Sequence, residues 1–329
     1  MSEVSQVFSD ALELLRRAGI RVLSGSLETV ELGLPDGREL SAAAMVHRRP
    51  PTPSALAGLC SDPAAVSRPL VVAPRATAHL RRLASRGQMD VIGVDEGLIV
   101  FDGVRYRPDG DSPRQTPAAR VVRGRRPWVR WALERLLLVT GVPVTQRELA
   151  SMLEVSQQAV SLALRQCRHV HRTADGWVAG SRADLLSEHL ADYPGPGGAT
   201  MYWYGLDPVV AQATAVVEFC SGQGAAVLVS GDPAADVYAP WRLPTRAVLY
   251  TDQFVDLAPA GFAPATAAEH TLALRVPADP TLWRTAAAAG EPVLLADPVI
   301  TVHDVLRGPG ADVQEAAEHL LTAIREGAL

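Results

Sequence analysis

The segment 146–165 limits most strongly what this chain can fold into. It reads QRELASMLEVSQQAVSLALR, and its apolar residues follow helical spacing in two short runs that a turn separates. Ser156 is a good N-cap for the second run, and Val155 is expected to be buried in the turn. The small Ala150 allows the two helices to cross closely, and Val160 fills the angle between them. The pattern therefore predicts a helix-turn-helix.

The second of these helices is expected to leave a polar face uncovered. Gln157, Gln158 and Ser161 lie on that face, and Arg165 lies at its end. Amide, hydroxyl and guanidinium groups hydrogen-bond to the base edges and phosphates of duplex DNA. We therefore expect this helix to bind DNA.

The sequences on both sides extend the motif. Upstream, Pro127–Thr140 has the apolar spacing of a further amphipathic helix, with proline suited to its first turn. Downstream, Arg168–Gly180 holds two strand-like runs around the turn signal Asp175-Gly176. With three helices followed by a basic hairpin, the stretch 127–180 resembles winged helix-turn-helix transcription regulators.

Two positions in this stretch depart from the common pattern of those regulators. Many of them have glycine where this chain has Glu154, so that residue either avoids the left-handed backbone region or adopts it under strain. Leu162 stands where many recognition helices carry a polar or basic residue. It either contacts a thymine methyl group or is buried.

The candidate DNA-binding residues lie on the helix-turn-helix, on the hairpin and on the basic segment before the first helix. We expect the amides and the Ser161 hydroxyl of the second helix to read bases, and the guanidinium groups to hold phosphates. The full set is Gln146, Ser156, Gln157, Gln158, Ser161, Arg165, Arg168, His169, His171, Arg172, Arg123, Arg125 and Arg126. Together with Arg120, the linker arginines are expected to reach a neighbouring phosphate or the minor groove.

The charge of the chain is unevenly distributed. Residues 105–182 carry a net charge of +8, whereas residues 1–104 carry −1 and residues 183–329 carry −12, for a total of −5. A basic segment inside an acidic chain is typical of a phosphate-binding module, and each phosphate contact is expected to add about one unit to the salt dependence of binding. A solvated basic face without a partner is the alternative.

All 31 basic residues are arginine, a pattern typical of a GC-rich genome such as an actinobacterial one. The absence of lysine excludes Schiff-base catalysis and lysine-dependent phosphate loops. The three cysteines, Cys60, Cys167 and Cys220, are far apart and are expected to be reduced buried thiols. No apolar run approaches membrane-spanning length and no signal pattern opens the chain, so we expect a cytoplasmic protein.

Composition shifts predict a multidomain α/β (α+β) protein. The predicted units are an α/β domain at 1–107, a basic linker at 108–126, a winged helix-turn-helix at 127–192 and a C-terminal α/β domain at 199–329. The last is expected to serve as an effector or dimerisation domain.

The N-terminal region is predicted to alternate helices with strands. Helices are expected at Val4–Ala18, Pro53–Leu59 and Thr77–Arg86, and strands at Thr29–Leu34, Leu40–Val46, Leu70–Val72, Asp90–Val94 and Gly97–Phe101. This order of elements resembles the core of restriction-endonuclease-like domains. Active members of that family carry Glu-x-Lys on the second long strand and an acid on the strand before it, which hold Mg²⁺ and activate water.

The corresponding strand here contains no carboxylate and no lysine. It reads AAAMVHR from Ala42, so we expect an inactive domain that serves packing, dimerisation or DNA contact. A DNA-targeted nuclease is the alternative. Glu28, Glu31 and Asp36 are either metal ligands or, as we favour, surface carboxylates of a hairpin.

The C-terminal region holds the most family-specific segments. Helices are predicted at Pro208–Cys220, Ala234–Tyr238 and Asp312–Glu326, and strands at Ala225–Ser230, Ala247–Thr251 and Thr271–Val276. Its segments SGDPAADVYAP, VLYTD and ADPVITVHDVLRGPG, the last followed by DVQEAAEHLLTAI, resemble AbiEi-family antitoxins of type IV toxin–antitoxin systems and related actinobacterial regulators. That resemblance implies a dimeric autorepressor at an inverted repeat. The simplest family pattern begins with the winged helix, whereas about 110 residues precede it here.

Nucleotidyl transfer is the enzymatic alternative for this half. Nucleotidyltransferases place Gly-Ser before a helix and two acids on a following strand, but here Asp252 is a single acid at the strand end. Asp232 and Asp236 are the candidates to replace the missing second acid. Asp232, which precedes Pro233, is better interpreted as a turn and cap residue. A turn at Asp297–Ile300 followed by a helix that includes Asp304-Val305-Leu306 is predicted, with a capping and packing role for His303-Asp304. We expect no catalytic site, no cofactor and no metal.

The expected partners are double-stranded DNA and a second copy of the chain. A protein partner such as a toxin, bound by the C-terminal domain of an antitoxin or scaffold, is the alternative. The tract Tyr202-Trp203-Tyr204, together with Trp241, either lines a pocket for a small effector or packs in the core. We expect no membrane contact.

Overall fold

A computed structural model describes residues 3–59, 68–108, 126–290 and 294–329. These residues form a mixed α/β structure with twelve α-helices and three β-sheets. No helix within them has the length and apolar character needed to cross a membrane.

The elements alternate along the whole chain. The helices are α1 (Glu3–Arg17), α2 (Pro53–Leu59), α3 (Ala78–Ser85), α4 (Trp128–Val139), α5 (Gln146–Leu153), α6 (Gln157–Leu164), α7 (Arg182–Asp192), α8 (Val209–Gly222), α9 (Asp232–Tyr238), α10 (Leu282–Ala289), α11 (Pro298–Val305) and α12 (Val313–Glu326). The strands are β1 (Arg21–Gly25), β2 (Thr29–Gly33), β3 (Glu39–Val46), β4 (Arg68–Ala73), β5 (Asp90–Gly93), β6 (Leu98–Phe101), β7 (Val104–Tyr106), β8 (Val170–Arg172), β9 (Trp177–Ala179), β10 (Ala199–Tyr204), β11 (Val227–Gly231), β12 (Ala247–Thr251), β13 (Phe254–Val255), β14 (Ala263–Pro264) and β15 (Leu272–Val276).

The largest sheet has eight strands in the order β13-β1-β2-β3-β4-β5-β6-β7. Strands β3, β4 and β5 are parallel, and the other neighbours are antiparallel. The predicted N-terminal helices and strands are confirmed to within two residues at each end. Strands β1 and β7 were not predicted, because β1 is short and mostly part-exposed and its register shifts between Val22 and Ser24.

The second sheet has five strands in the order β11-β12-β15-β10-β14, with β12 and β15 parallel. Alternation along β11 sends Val227 and Val229 into a core with α8, and Leu228 into a core on the opposite face with α11. The predicted helix through Asp304 and Val305 is present, but the turn predicted before it at Asp297–Ile300 was wrong. Helix α11 begins at Pro298, because the Asp297 carboxylate caps it by accepting from the backbone N–H groups of Val299 (3.1 Å) and Ile300 (3.0 Å).

The regions predicted as separate domains contact one another closely. Strand β13, from the C-terminal region, pairs with β1 and extends the N-terminal sheet. Helices α4 to α7 share one apolar core with α11 and α12. The Pro- and Gly-rich break at 193–199 begins with Tyr193, which is buried and whose hydroxyl donates to Asp279 at 2.8 Å. Of the predicted linker at 108–126, residues 109–125 lie outside the described ranges.

Candidate nucleic-acid interface

The helices α5 and α6 begin at strong side-chain caps. Thr145 and Glu148 form a reciprocal capping box, in which the Thr145 hydroxyl accepts from the Glu148 N–H at 3.2 Å and the Glu148 carboxylate accepts from the Thr145 N–H at 2.8 Å. The Ser156 hydroxyl accepts from the Ala159 N–H at 3.2 Å, which confirms the predicted N-cap. The capping box was missed, although its Thr-x-x-Glu signal stands in the sequence.

The turn between the two helices contains a residue in a strained conformation. Glu154 adopts the left-handed region, with φ 53° and ψ 43°, so of the two alternatives the strained one is realised. The following Val155 N–H donates to the Ala150 carbonyl at 3.0 Å and closes α5. The Glu154 carboxylate pairs with Arg284 of α10 at 2.5 Å. Val155 is only half-buried, so its predicted burial was overstated.

The inner faces of α5 and α6 are buried against α4. The predicted contact residues Ala150 and Val160 are both buried, and Val160 has no exposed surface. Small and branched side chains at these positions allow the close crossing that the sequence indicated. The inner faces therefore hold α6 in one orientation relative to α4.

The outer face of α6 is available to a partner. Gln157, Gln158 and Arg165 are exposed, and Ser161 is half-buried at the edge of the face. Leu162 is 51 % exposed, so it is not the buried residue that one alternative predicted. Across the described part of the chain, no hydrogen bond or ion pair engages the side chains of Gln157, Gln158 or Arg165.

The predicted basic hairpin is present as β8 and β9. Its turn closes through the Thr173 N–H, which donates to the Gly176 carbonyl at 2.7 Å. Val144, just before α5, pairs with Trp177 through two hydrogen bonds of 3.0 and 2.7 Å, and so ties the hairpin to the start of α5. Gly176 has φ 152°, and a Cβ there would lie 2.6 Å from the carbonyl carbon of Val144. Only glycine fits this close approach.

The hairpin side chains are not equally free. Arg172 and His171 are exposed, whereas Arg168 and His169 both face Glu188 of α7, at 3.5 and 3.0 Å. Glu188 therefore offsets part of the positive charge that the sequence assigned to the hairpin. These contacts join residues 20 and 19 positions apart, and helical or strand periodicity does not indicate them.

The remaining candidates lie apart from α6. Gln146 is half-buried in the first turn of α5. The Arg126 guanidinium lies 5.0 Å from the centre of the Trp128 ring, and burial lowers its pKa. Arg120, Arg123 and Arg125 lie outside the described residues.

A buried charge cluster on α4 was not predicted. Arg135 has no exposed surface, and its guanidinium lies 3.4 Å from Asp279 and 3.7 Å from Asp297, and donates to the Thr281 hydroxyl at 2.8 Å. The signal in the sequence was an arginine inside an apolar run, WALERLLLV. Because Asp297 caps α11, this cluster attaches α4 to the C-terminal half.

A second buried pair lies beside this cluster. The imidazole of His189 on α7 contacts the Glu134 carboxylate of α4 at 2.9 Å. Burial lowers the pKa of His189 below its ordinary value, and the Glu134 charge only partly opposes that shift. The pair fixes α7 on α4.

The acidic residues considered for metal or nucleotide binding are far apart or already engaged. Asp232 and Asp252 lie at opposite ends of the antiparallel pair β11–β12. Asp232 follows Gly231, which pairs with Ala247, and Asp252 follows Thr251, which pairs with Val227. At the rise of a β-strand, these two ends are about 14 Å apart. The Ser230 hydroxyl donates to Asp304 at 2.7 Å. Among the described residues, no three His, Cys, Asp or Glu side chains are placed to hold a metal ion.

The other sequence candidates fall on the surface or in the core. Glu28, Glu31 and Asp36 are exposed, as expected for hairpin carboxylates. Cys167 and Cys220 are buried free thiols, and Cys60 lies outside the described residues.

The aromatic tract divides between core and cavity. Trp203 is buried in the core beneath α8, Tyr202 lies against a cavity, and Tyr204 is exposed. Trp241 is half-exposed and stacks on His319 at 4.0 Å.

Comparison with protein-family models gives no match, and neither the curated proteins nor the solved structures contain a significant match.

Proposed function

We propose that the protein is a sequence-specific double-stranded DNA-binding transcriptional regulator. Helices α4 to α6 with the hairpin β8–β9 would form a winged helix-turn-helix, and α6 would enter the major groove. The observation that carries this proposal is the outer face of α6, whose polar side chains have no partner among the described residues. A helix whose inner face is packed in the core and whose outer polar side chains have no partner is suited to bind in a DNA groove.

The dimensions of α6 support this mode of binding. An α-helix with its side chains is about 10–12 Å in diameter, which fits the major groove of B-DNA at about 12 Å wide, and the eight residues of α6 form a recognition helix of about two turns. Gln158 supplies an amide of the kind that pairs with adenine, and Arg165 a guanidinium for a phosphate. The exposed Leu162 would reach a thymine methyl group. Because α6 begins at a capped N-terminus, its first turn is also a favourable place for a phosphate.

The charge distribution supports a nucleic-acid partner for the middle of the chain. Three exposed arginines near α6 form no ion pair within the described ranges and would be available to a polyanion: Arg147, Arg165 and Arg172. One short helix reads only a few base pairs, so we propose a dimer that binds an inverted repeat. The acidic C-terminal half would supply the dimer interface, or in an antitoxin the surface for a toxin.

The N-terminal region would be an inactive relative of restriction-endonuclease-like domains. The order of α1, the antiparallel β1–β2–β3 and the parallel β3–β4–β5 supports that comparison. Strand β3 carries Ala42 and Ala44, both buried, where an active site would need charged ligands.

The deciding experiment measures binding of the full chain to its own upstream DNA and to a scrambled duplex, at low and near-physiological salt. The triple variant Gln157→Ala/Gln158→Ala/Arg165→Ala is expected to weaken binding to the upstream DNA by about 30-fold or more, since each of the two lost base contacts costs about 1–3 kcal/mol. Arg165→Ala alone is expected to reduce the salt slope by about one unit.

Arg82→Ala, an exposed arginine on α3, is the matched control and should leave both affinities unchanged. Equal, weak binding to both duplexes, insensitive to the triple variant, would refute base reading by α6 and favour a protein-binding scaffold. Mg²⁺-dependent nicking of plasmid DNA by the purified chain would show an active nuclease instead.

A further inference from the structure

A cavity of about 310 Å³ opens on one face of the five-stranded sheet. Its floor is formed by β10, β12 and β15, and one wall is formed by the C-terminal end of α11 and the residues that follow it. It lies away from α6, and the DNA-binding proposal does not use it. Its volume falls in the range of small-molecule sites.

Three cationic side chains line the cavity. Arg246, Arg275 and Arg307 line it together with His270. Arg275 is paired with Asp304 at 2.8 Å. Arg246 and Arg307 form no ion pair within the described ranges, and each makes one hydrogen bond to a backbone carbonyl, Ala268 at 2.9 Å and His303 at 3.1 Å. Most of their N–H donors are therefore available.

The two carboxylates on the cavity wall are already neutralised. Asp304 accepts hydrogen bonds from Tyr250 and Ser230, both at 2.7 Å, in addition to its pair with Arg275. Asp232 is held by Arg242 at 2.9 Å and by the Thr245 hydroxyl at 2.9 Å. Neither carboxylate is free to bind a cation or to pair with Arg246 or Arg307.

The electrostatics of the cavity agree with this geometry. Burial, with help from the charges of Arg246 and Arg275, lowers the pKa of His270 to about 4. Burial also lowers the pKa of Arg307, and the neighbouring Arg275 charge lowers it further, against the opposing effect of Asp304. Positive charge is thus concentrated in a partly buried space, where electrostatic attraction is stronger than in bulk water.

We propose that this cavity binds a small oxyanion ligand, a phosphate monoester or an organic carboxylate, through the guanidinium groups of Arg246 and Arg307. Guanidinium groups bind both classes of oxyanion through two parallel hydrogen bonds, and such charge-assisted bonds are about twice as strong as neutral ones. The rings of Tyr202 and His270, with centres 4.6 Å apart and planes tilted by 47°, provide an aromatic wall for the rest of the ligand. This site is independent of the proposed DNA reading.

Isothermal titration calorimetry on the full chain without DNA tests the site. The probes are inorganic phosphate, ribose 5-phosphate and succinate, at matched ionic strength and pH 7.5. We expect one-to-one binding of at least one probe, and an affinity at least tenfold lower in the double variant Arg246→Gln/Arg307→Gln. Arg82→Gln, which changes the net charge of an exposed site elsewhere, is expected to keep the affinity of the unmodified chain.

The two ligand sources are separated within the same experiment. Tighter binding of ribose 5-phosphate than of succinate supports a phosphate monoester, and the reverse supports a carboxylate. The proposal is overturned if no probe binds at about 10 mM, or if the double variant binds as well as the unmodified chain. A thermal unfolding curve of the double variant without ligand, matching that of the unmodified chain, shows that loss of binding is not loss of fold.

Discussion

Helices α4 and α6 lie against each other and share one apolar core, yet they use their charged and polar residues in opposite ways. On α4, Glu134 and Arg135 are buried, and each has partners on other elements. On α6, Gln157, Gln158 and Arg165 are exposed, and no described residue pairs with them. Polar groups that are buried and paired hold the structure together, whereas those left in water are free for a partner.

The largest expected loss of stability comes from removing the buried cation of α4. Arg135→Ala leaves Asp279 and Asp297 buried without their counterion, and we expect it to cost about 3–5 kcal/mol of unfolding free energy. Urea unfolding measures this loss. Arg165→Ala on the exposed face is the control, with an expected change within about 0.5 kcal/mol. Equal effects of the two changes would contradict the comparison.

Low pH is expected to destabilise the fold through its buried histidines. Burial lowers the pKa of His189 and of His303 below the ordinary value of 6.5, so the folded protein keeps both imidazoles neutral. Above that value these groups cost no stability. As the pH falls below it, the unfolded chain takes up protons that the folded chain excludes, and stability falls.

The measurement is the urea midpoint at pH 7.5 and at pH 5.5. His189→Asn is expected to reduce the difference between the two midpoints, even though it lowers both. His171→Asn, on the exposed hairpin, should leave the difference as it is in the unmodified chain. If the His189 variant keeps the full difference, the buried imidazole is not its source.

A substitution at Gly176 tests whether the close contact between the hairpin β8–β9 and the start of α5 is needed for stability and DNA binding. Gly176→Ala places a Cβ 2.6 Å from the carbonyl carbon of Val144, at a backbone angle that favours glycine. We expect a loss of about 1–3 kcal/mol and weaker DNA binding, because the hairpin separates from the start of α5. Gly141→Ala is the matched control, since no atom lies within 4 Å of its Cβ position. Unchanged stability and affinity in Gly176→Ala would show that the Val144–Trp177 pairing is dispensable.

The smallest expected change in stability comes from substitutions at Glu154, in the turn between α5 and α6. Glu154→Gly and Glu154→Ala both remove the ion pair with Arg284, but only glycine adopts the left-handed region without strain. We expect the glycine variant to be more stable than the alanine variant by about 1 kcal/mol in thermal or urea unfolding. Equal stability would mean that the turn adapts to any residue.

The elements most accurately predicted were those whose signals lie within a few residues. The bounds of α6 followed from the Ser156 cap and the apolar spacing, and the hairpin followed from Asp175-Gly176. The free outer face of α6 also followed, because the polar residues fall at helical spacing opposite the buried ones. Where the sequence left two alternatives open, the exposure of Leu162 and the backbone angle of Glu154 were needed to decide between them.

Other features could not be predicted from the sequence, because they join distant parts of the chain. Glu188 reduces the availability of Arg168 and His169, and no local pattern connects α7 with the hairpin. The pairing of β13 with β1 joins residues more than 200 positions apart. A two-residue strand also carries too little periodicity to be recognised in the sequence.

The sequence by itself determined the short-range order of this protein: its caps, its turns, the helix pair and the basic middle of an acidic chain. These depend on backbone conformation and on neighbours within one or two helical turns. Only the tertiary structure decided which charges are buried and paired, as around Arg135, and which are left free, as at Arg246 and Arg307. The physical reason is that burial and pairing are properties of elements packed together from across the chain, and similar guanidinium groups become structural or available according to what packs against them.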